Sequence, residues 1–334
     1  MICLETSCGD GAGLGNQLFR YAFARALQLD TGEPIVMYDY HRAYDKAPHT
    51  KLSLPKIVPA SVDITYVDVP GKQVENYFKE VLPLRYYFYL VIQKLWRYAH
   101  GIWGNPTAQQ LYRMNVSLHP LMNRLGIYIE SDGRYVPYTR YRFPKKFYCL
   151  GFFFSSRFFS AHAAQIRDEL NRPELISDRN AALVEEMRSC NAVAVHIRLG
   201  DFVDDPHFRN FLYVCSPEYY RDAVAAACRD LNDPVFYVFT NDRKKVMQFP
   251  FPAEAKLVFV PKGNSAIEDL ELMAQCRHFV IPNSTFSWWG QFLSRNPDKK
   301  VYGPSRWFRF DDPDDPNPLI EPTWTIIRSE LPPI

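Results

Sequence analysis

The sequence predicts an α/β protein of two domains built on parallel sheets, and three observations carry the prediction. The chain has 334 residues, enough for two domains of about 150 residues each. Its second half alternates short apolar runs with capped helical patterns, the arrangement of βαβ units. Several of those runs end in polar clusters, at the carboxyl edge where open parallel sheets bind ligands. Hydrophobic residues make up 47% and charged residues 23%, so a packed core is available and global disorder is excluded. The expected division is 1–185 and 186–334, with a helical, aromatic insertion at about 75–125 in the first domain.

Taken in order, the chain opens on GDGAGLG, with glycines at 9, 11, 13 and 15. Asn16 then precedes an apolar run with helical spacing (Phe19, Ala22, Phe23, Ala26, Leu29), which predicts a helix over 17–29 with Asn16 as its N-cap. PIVMY at 34–38 reads as a strand, and 40–150 shows no clean period. VAVHI at 193–197 reads as a buried strand. Ser216 caps a helix to about Leu231 with Pro217 at its first position. Strands follow at 235–239 and 257–260, then a helix to about Gln275 opened by the capping box Ser265-Ala-Ile-Glu268. A strand at 279–282, a helix from Thr285 to Leu293 and a strand at 300–302 complete the pattern. The Pro-rich acidic run 311–318 is an extended loop.

Composition narrows the function. Lys and Arg number 39 against 37 Asp and Glu, a formal +2, which is too balanced for a nucleic-acid partner. Aromatics at 15% suit sugar stacking, although bulky core packing is the commoner use. Seven cysteines (3, 8, 149, 190, 215, 228, 276) form no C-x-x-C and are odd in number, so a reducing cytoplasm is expected rather than a disulfide framework or zinc site. The N-terminus lacks the pattern of a secretory signal, and the sequons at Asn115 and Asn283 are then not used. Residues 81–104 are rich in aromatics but interrupted by Arg85, Lys94 and Arg97, short of the roughly 20 apolar residues of a span. They form either a helix packed on its own domain or a helix lying on a membrane surface.

Three constellations carry candidate chemistry. The opening glycines match neither G-x-G-x-x-G nor a P-loop, but they allow close backbone approach to an anion or sugar. With Asp39 ending the next strand, an NAD-dependent dehydrogenase stays formally open. Next, alternation puts His196 and Arg198 on one face at a strand end, where a guanidinium can clamp a diphosphate; an Arg198–Asp201 turn bridge is the plainer alternative. Finally, Thr240-Asn241-Asp242, Glu268-Asp269 and Asn283-Ser284-Thr285-Phe286-Ser287 mark three more strand–helix junctions. The capping box accounts for Glu268 but not for Asp269. Four junctions along one sheet edge describe a nucleotide site. The only D-x-D, Asp312-Pro313-Asp314, lies in a loop poorly suited to holding a metal.

GLGNQLFRYAFARAL (13–27), HIRLGDF (196–202), FTND (239–242) and DLELMAQCRHFVIPNSTFSWW (269–289), continuing as GQFL to 293, resemble the motif set of the α-1,2-fucosyltransferases. The likeness spans nearly the whole chain, loosely over 40–190, and 81–104 has no assigned counterpart. It implies a GT-B-like enzyme with two facing Rossmann-like domains. Such enzymes move L-fucose from GDP-β-L-fucose to the 2-hydroxyl of a terminal β-galactose with inversion, without a divalent metal. By the same resemblance Arg198 meets the β-phosphate, Asp269 the guanine, and Ser284 and Thr285 the phosphates. Gly13, Gly15 and Gln17 face the cleft from the other domain. Thr240, Asn241, Asp242, Asn283, Phe286 and Ser287 complete the expected donor site. His196 is expected to contact the nucleotide and orient Arg198, and Asn16 to hold the acceptor or donor sugar. Asp201 is a general base by residue type or a brace for Arg198. FTND replaces the common FSDD, and Gly290 a common Ala. A non-catalytic sugar-binding protein on the same fold is the alternative from another class. The expected site of action is the cytoplasm, at the inner leaflet if the acceptor is lipid-linked.

Overall fold

In the computed structural model the chain divides into two compact units, Met1–Ile166 and Arg167–Ile334. The structure describes residues 1–6, 13–40, 51–69, 83–130, 134–136, 146–312, 314–328 and 330–332.

The first unit holds a parallel sheet of β1 (Ile2–Glu5), β2 (Ile35–Tyr40), β3 (Ile64–Val69), β4 (Ile127–Ile129) and β5 (Phe147–Leu150), in the order β3-β2-β1-β5-β4. Helix α1 (Leu14–Thr31) buries most of its surface, Phe19 and Phe23 included. It starts earlier than the expected 17. Gly13 is the N-cap, and its carbonyl receives the N–H groups of Asn16 at 2.9 Å and Gln17 at 3.1 Å. Leu14 is already buried, so packing extends the helix back through Asn16 without a side-chain cap. Gly32 ends it in the left-handed region (φ 73°), its N–H on the Gln28 carbonyl.

Among the described residues, two seventeen-residue helices follow β3. Helix α2 (Pro83–Ala99) lies within the expected insertion, and α3 (Ala108–Arg124) opens with a reciprocal capping box between Thr107 and Gln110. Tyr89 of α2 is buried with Met122 and Ile127, whereas Leu84 is 83% and Leu95 62% exposed. The helix therefore rests on its unit by one side and turns an apolar side outward.

The second unit carries α4 (Ala181–Ser189), β6 (Asn191–Ile197), α5 (Pro217–Asp230), β7 (Pro234–Thr240), β8 (Lys256–Phe259), α6 (Ala266–Gln275), β9 (His278–Val280), α7 (Thr285–Leu293), β10 (Val301–Pro304) and β11 (Thr325–Ile327). These lie close to the expected strands and helices, because buried parallel strands are short apolar runs bounded by caps. Val193, Val195 and Ile197 of β6 pack with Tyr219, Tyr220, Ala223 and Val224 of α5. The Tyr219 hydroxyl donates to the Ile281 carbonyl at 2.5 Å, and Ser216 accepts the Tyr219 N–H as the α5 cap. This unit begins at Arg167, ahead of the 186 read from sequence. Segment 167–180 is tied to α6 and α7, with Arg167 Nε on the Phe292 carbonyl and Asn171 Nδ2 on the Leu293 carbonyl.

All described pairings in the second sheet are parallel, and the order is β11-β10-β9-β6-β7-β8. Counted from β6, that is 3-2-1-4-5-6, the order of the dinucleotide-binding fold, with its reversal between β6 and β9. The chain leaves β6 upward to β7 and returns across the start to β9. Ligands of such sheets bind in the crevice that this reversal opens at the carboxyl edge. Two α/β units on separate parallel sheets agree with the expected pair of Rossmann-like domains.

Candidate nucleotide site at the sheet reversal

The carboxyl end of β6 keeps its alternation beyond the last paired residue. Ile197 and Leu199 are buried, while His196 and Arg198, which alternate with them, stay partly open. His196 keeps an open edge but is packed closely enough that burial, aided by the Arg198 charge, pushes its pKa down to about 3. It is neutral at working pH. Its Nδ1 is buried with no hydrogen-bond partner among the described residues, and its ring lies 5.6 Å from that of Phe286. An imidazole whose pKa is pushed that low is a poor acceptor for a proton at working pH.

After Arg198 the backbone turns at Gly200, whose φ of +67° lies in the left-handed region. A Cβ there would stand 2.8 Å from Asn241 Nδ2. Asn241 accepts the Leu199 N–H at 3.1 Å and donates to the Leu199 carbonyl at 3.3 Å. Its amide thus holds the β6 turn rather than waiting for a ligand. Asp201 opens the short helix Asp201–Asp204, and its side chain lies outside the described residues. The Arg198–Asp201 bridge lies there too. Beside Asn241, Thr240 Oγ1 accepts the Asp242 N–H at 3.1 Å, and Asp242 caps the turn 243–246 by accepting from Lys245 N–H.

Thr240, Asn241, Lys262, Gly263 and Asp269 line a cavity of about 220 Å³ at the carboxyl edge of β7 and β8. Asp269 accepts from Asn264 Nδ2 at 2.7 Å, and burial raises its pKa against that bond. Glu268 beside it points elsewhere. Ser265 accepts the Glu268 N–H as expected, but the return half of the capping box is replaced. The Glu268 carboxylate accepts from Ser177 N–H at 3.1 Å, from the Ser177 hydroxyl and from Asn180 Nδ2 at 2.8 Å. Burial pushes that carboxyl up, yet these bonds and Arg179 hold it below the usual range. Asn180 and Arg179 also donate to Asn264 Oδ1, so the loop holding Asp269 is braced from 177–180.

At the end of β9 the expected cluster separates into two roles. Asn283 is buried, and its Nδ2 donates to the carbonyls of Leu212 at 2.8 Å and Trp307 at 2.7 Å. Ser287 is buried and donates to the Ser284 carbonyl at 3.2 Å. These two tie loops and helix together. Ser284 is the N-cap of α7 without a side-chain cap bond, and Thr285 opens the helix. The first-turn N–H groups of a nine-residue helix therefore face the carboxyl edge of the sheet, as a phosphate requires.

In the first unit, Gly15 is buried in the opening turn of α1 and Asn16 lies within the helix. Gln17 is buried, donating to the Lys51 carbonyl at 2.9 Å and accepting from Ser53 N–H at 2.9 Å. It positions segment 51–53. Gly9 and Gly11 lie outside the described residues. Asp39 is buried and accepts from the Thr6 hydroxyl at 2.9 Å. Sequence reading passed over Arg20, which is 1% exposed, donates to the carbonyls of Gly151 at 3.1 Å and Thr6 at 2.8 Å, and lies over the Phe152 ring. Its helical position among apolar residues, one turn after Asn16, was the available signal.

Asp312 accepts the Asp314 N–H at 2.9 Å, and Asp314 faces Arg328 at 3.4 Å. Among the described residues no group of three or more His, Cys, Asp or Glu is placed to hold a metal ion.

The family model of glycosyl transferase family 11 matches residues 104–306, which includes the end of β6, the cavity and the β9–α7 junction. The chain belongs to that family. Among family relatives, it is 30% identical over 175 residues to an alpha-1,2-colitosyltransferase of Escherichia coli, covering 52% of this chain and 60% of that protein. It is 29% identical over 182 residues to a galactoside 2-alpha-L-fucosyltransferase of Caenorhabditis elegans, covering 48% and 49%. The matched stretch thus spans about half to three-fifths of these relatives. A crystal structure of the NodZ alpha-1,6-fucosyltransferase soaked with GDP-fucose aligns with TM-score 0.45 at 15% identity, over 87% of this chain and 92% of that one.

Proposed function

We propose that this family 11 chain is an inverting transferase that moves L-fucose from GDP-β-L-fucose to the 2-hydroxyl of a terminal β-galactoside. The observation that carries this reading is the sheet reversal between β6 and β9. It brings Arg198 and His196 to one lip of a crevice and the open α7 N-terminus to the other. The relatives' names add an alpha-1,2 or 2-alpha linkage and a colitosyl or L-fucosyl group.

The residues divide the work as follows. Asp269 takes the guanine edge in the 220 Å³ cavity, where a carboxylate accepts paired N–H donors. Ser284, Thr285 and the first-turn amides of α7 hold the diphosphate. Arg198 neutralises charge on the leaving β-phosphate oxygen as the bond from the sugar C1 breaks. The electron pair goes to GDP, the acceptor O2 bonds to C1 from the opposite face, and its proton passes to a base. Asp201 is the proposed base. His196, neutral at working pH because burial and the Arg198 charge lower its pKa, is assigned to the donor rather than to the proton. The reading requires no divalent metal: Arg198 and the helix amides supply the charge stabilisation, and Asp312 and Asp314 are engaged locally. A cytoplasmic setting is part of the proposal, supported by the buried thiols of Cys3, Cys149, Cys215 and Cys276 and by the burial of the Asn283 sequon.

The test is a transfer assay with GDP-fucose against lactose, Galβ1-3GlcNAc and Galβ1-3GalNAc, in the presence of EDTA, with linkage read by NMR. GDP should raise the melting temperature, NAD should not. Transfer to a galactose O2 is the expected result. A melting response to galactosides alone, with no transfer, favours a non-catalytic sugar-binding protein and ends this proposal.

A further inference from the structure

Helix α2 turns its apolar side to solvent. Leu84, Phe88, Val91, Leu95 and Tyr98 are 83%, 48%, 55%, 62% and 66% exposed, and Trp103 just beyond the helix is 77% exposed. At about 100° per residue these helix positions fall within an arc of roughly 80°, opposite the buried Tyr89. Val116 and Leu121 on α3 are exposed as well. An isolated exposed Leu means little, but a continuous stripe of this kind marks an interaction surface.

The charge around the stripe says what covers it. Residues 81–129 contain no Asp or Glu, although the chain carries 37, and they hold Arg85, Lys94, Arg97, Arg113 and Arg124. Arg85 and Lys94 are exposed on the two flanks of the stripe. Between α2 and α3 lies a cleft of about 470 Å³, lined by Trp96, His100, Gln110, Tyr112, Arg113 and Ser117. Trp96 and His100 stack at 3.8 Å along its wall. The Ser117 hydroxyl is engaged on the Arg113 carbonyl at 2.8 Å, but an aromatic wall with the Arg113 guanidinium and the Gln110 amide suits a phosphate headgroup on an acyl chain. No helix among the described residues is long and apolar enough to cross a membrane.

We infer that α2, the turn 100–107 and α3 form a surface that lies in the interface of an anionic lipid bilayer. The stripe sits among the upper acyl chains, the basic flanks meet headgroups, and the α2–α3 cleft seats one headgroup phosphate. The inference does not depend on the proposed transferase activity, and its readout is binding alone.

The test is pelleting of the full chain with vesicles of phosphatidylcholine, with and without phosphatidylglycerol. Binding is expected only with phosphatidylglycerol and should weaken with salt. The triple variant Leu84→Ser, Val91→Ser, Leu95→Ser should lose binding at least tenfold, and Lys94→Ala roughly fivefold. Circular dichroism checks the fold; if the triple variant is unfolded, Trp103→Ser and Lys94→Ala carry the test. No pelleting of the unmodified chain, or equal pelleting with and without phosphatidylglycerol, overturns the inference. So does a lipid-free dimer in sedimentation velocity that these substitutions dissociate, because a second copy would then cover the stripe.

Discussion

Asn241 and Leu199 are joined in both directions, the Leu199 N–H reaching Asn241 Oδ1 at 3.1 Å and Asn241 Nδ2 reaching the Leu199 carbonyl at 3.3 Å. The ends of β6 and β7 therefore leave the sheet as one braced edge. Arg198 sits between a residue anchored in the core, Ile197, and one tethered by an amide, Leu199. The Arg198 backbone is thus fixed on both sides, and in the proposed mechanism its guanidinium acts from a rigid base.

Gly200→Ala should lower turnover about tenfold or more while leaving the far-ultraviolet circular dichroism unchanged. The positive φ costs about 1–2 kcal/mol for an L side chain, and the new Cβ pushes on Asn241. Initial rates at saturating donor check it. Asn241→Ala should act in the same direction, by releasing Leu199.

Arg198→Ala should reduce kcat by roughly a thousandfold, with a smaller change in donor KM, because in the proposed mechanism the charge it meets grows in the transition state. Arg198→Lys keeps the charge without the fork and should recover only part of the loss. Near-normal turnover in the alanine variant removes Arg198 from its assigned role.

Asp269→Asn should weaken GDP binding about tenfold or more and blunt discrimination between GDP and ADP, with little effect on the bond-breaking step. Calorimetric titration with the two nucleotides is the measurement. Unchanged preference for GDP would place guanine recognition elsewhere.

Glu271 and His196 bend the stability profile in opposite directions. Glu271 is fully buried and its pKa is raised to about 7, so its contribution is present below about 4.5 and is lost as pH rises through 7. Glu271→Gln should therefore melt higher than the unmodified chain at pH 8, by an amount of order 1–3 kcal/mol, and differ little at pH 5. His196 is depressed to about 3, so stability falls as pH drops below about 6.5, where only the unfolded chain takes the proton. His196→Asn should flatten that acid limb in thermal melts.

Asn283→Ala should destabilise the second unit by about 2–4 kcal/mol, since it strands the carbonyls of Leu212 and Trp307 in a buried site. Chemical denaturation monitored by tryptophan fluorescence reads the loss. A donor KM that rises without a fall in stability would instead assign Asn283 to the ligand.

The second sheet was legible because its strands are apolar runs bounded by caps such as Ser216 and Ser265, each of which accepts the expected backbone N–H. Of the first sheet, β2 was read at 34–38 and the other strands were not. β1, β4 and β5 have three or four residues each, too few to display a period, and the start of α1 was shifted by the burial of Leu14. Within the site, Arg198, Asp269 and Ser284 stand at the carboxyl edge the motifs implied. Asn241, Asp242, Asn283, Ser287 and Gln17 instead hold backbone. An amide or hydroxyl that bonds a peptide group has the same chemistry as one that bonds a nucleotide, so residue type alone does not separate the two. Glu268 shows the same limit, because a capping-box spacing says nothing of Ser177 and Asn180 nearly 90 residues earlier.

That long-range brace constrains how the chain can be recombined. A graft joined at 186 would carry Glu268 and Asn264 but take residues 177–180 from another protein. The Glu268 carboxylate would lose its donors from Ser177, Arg179 and Asn180, and Asn264 would lose the two that steady it beside Asp269. Chimeras meant to keep the proposed donor site intact should be spliced upstream of Arg167. Splices between 167 and 186 should loosen the loop that holds Asp269, and under the proposed function weaken GDP binding.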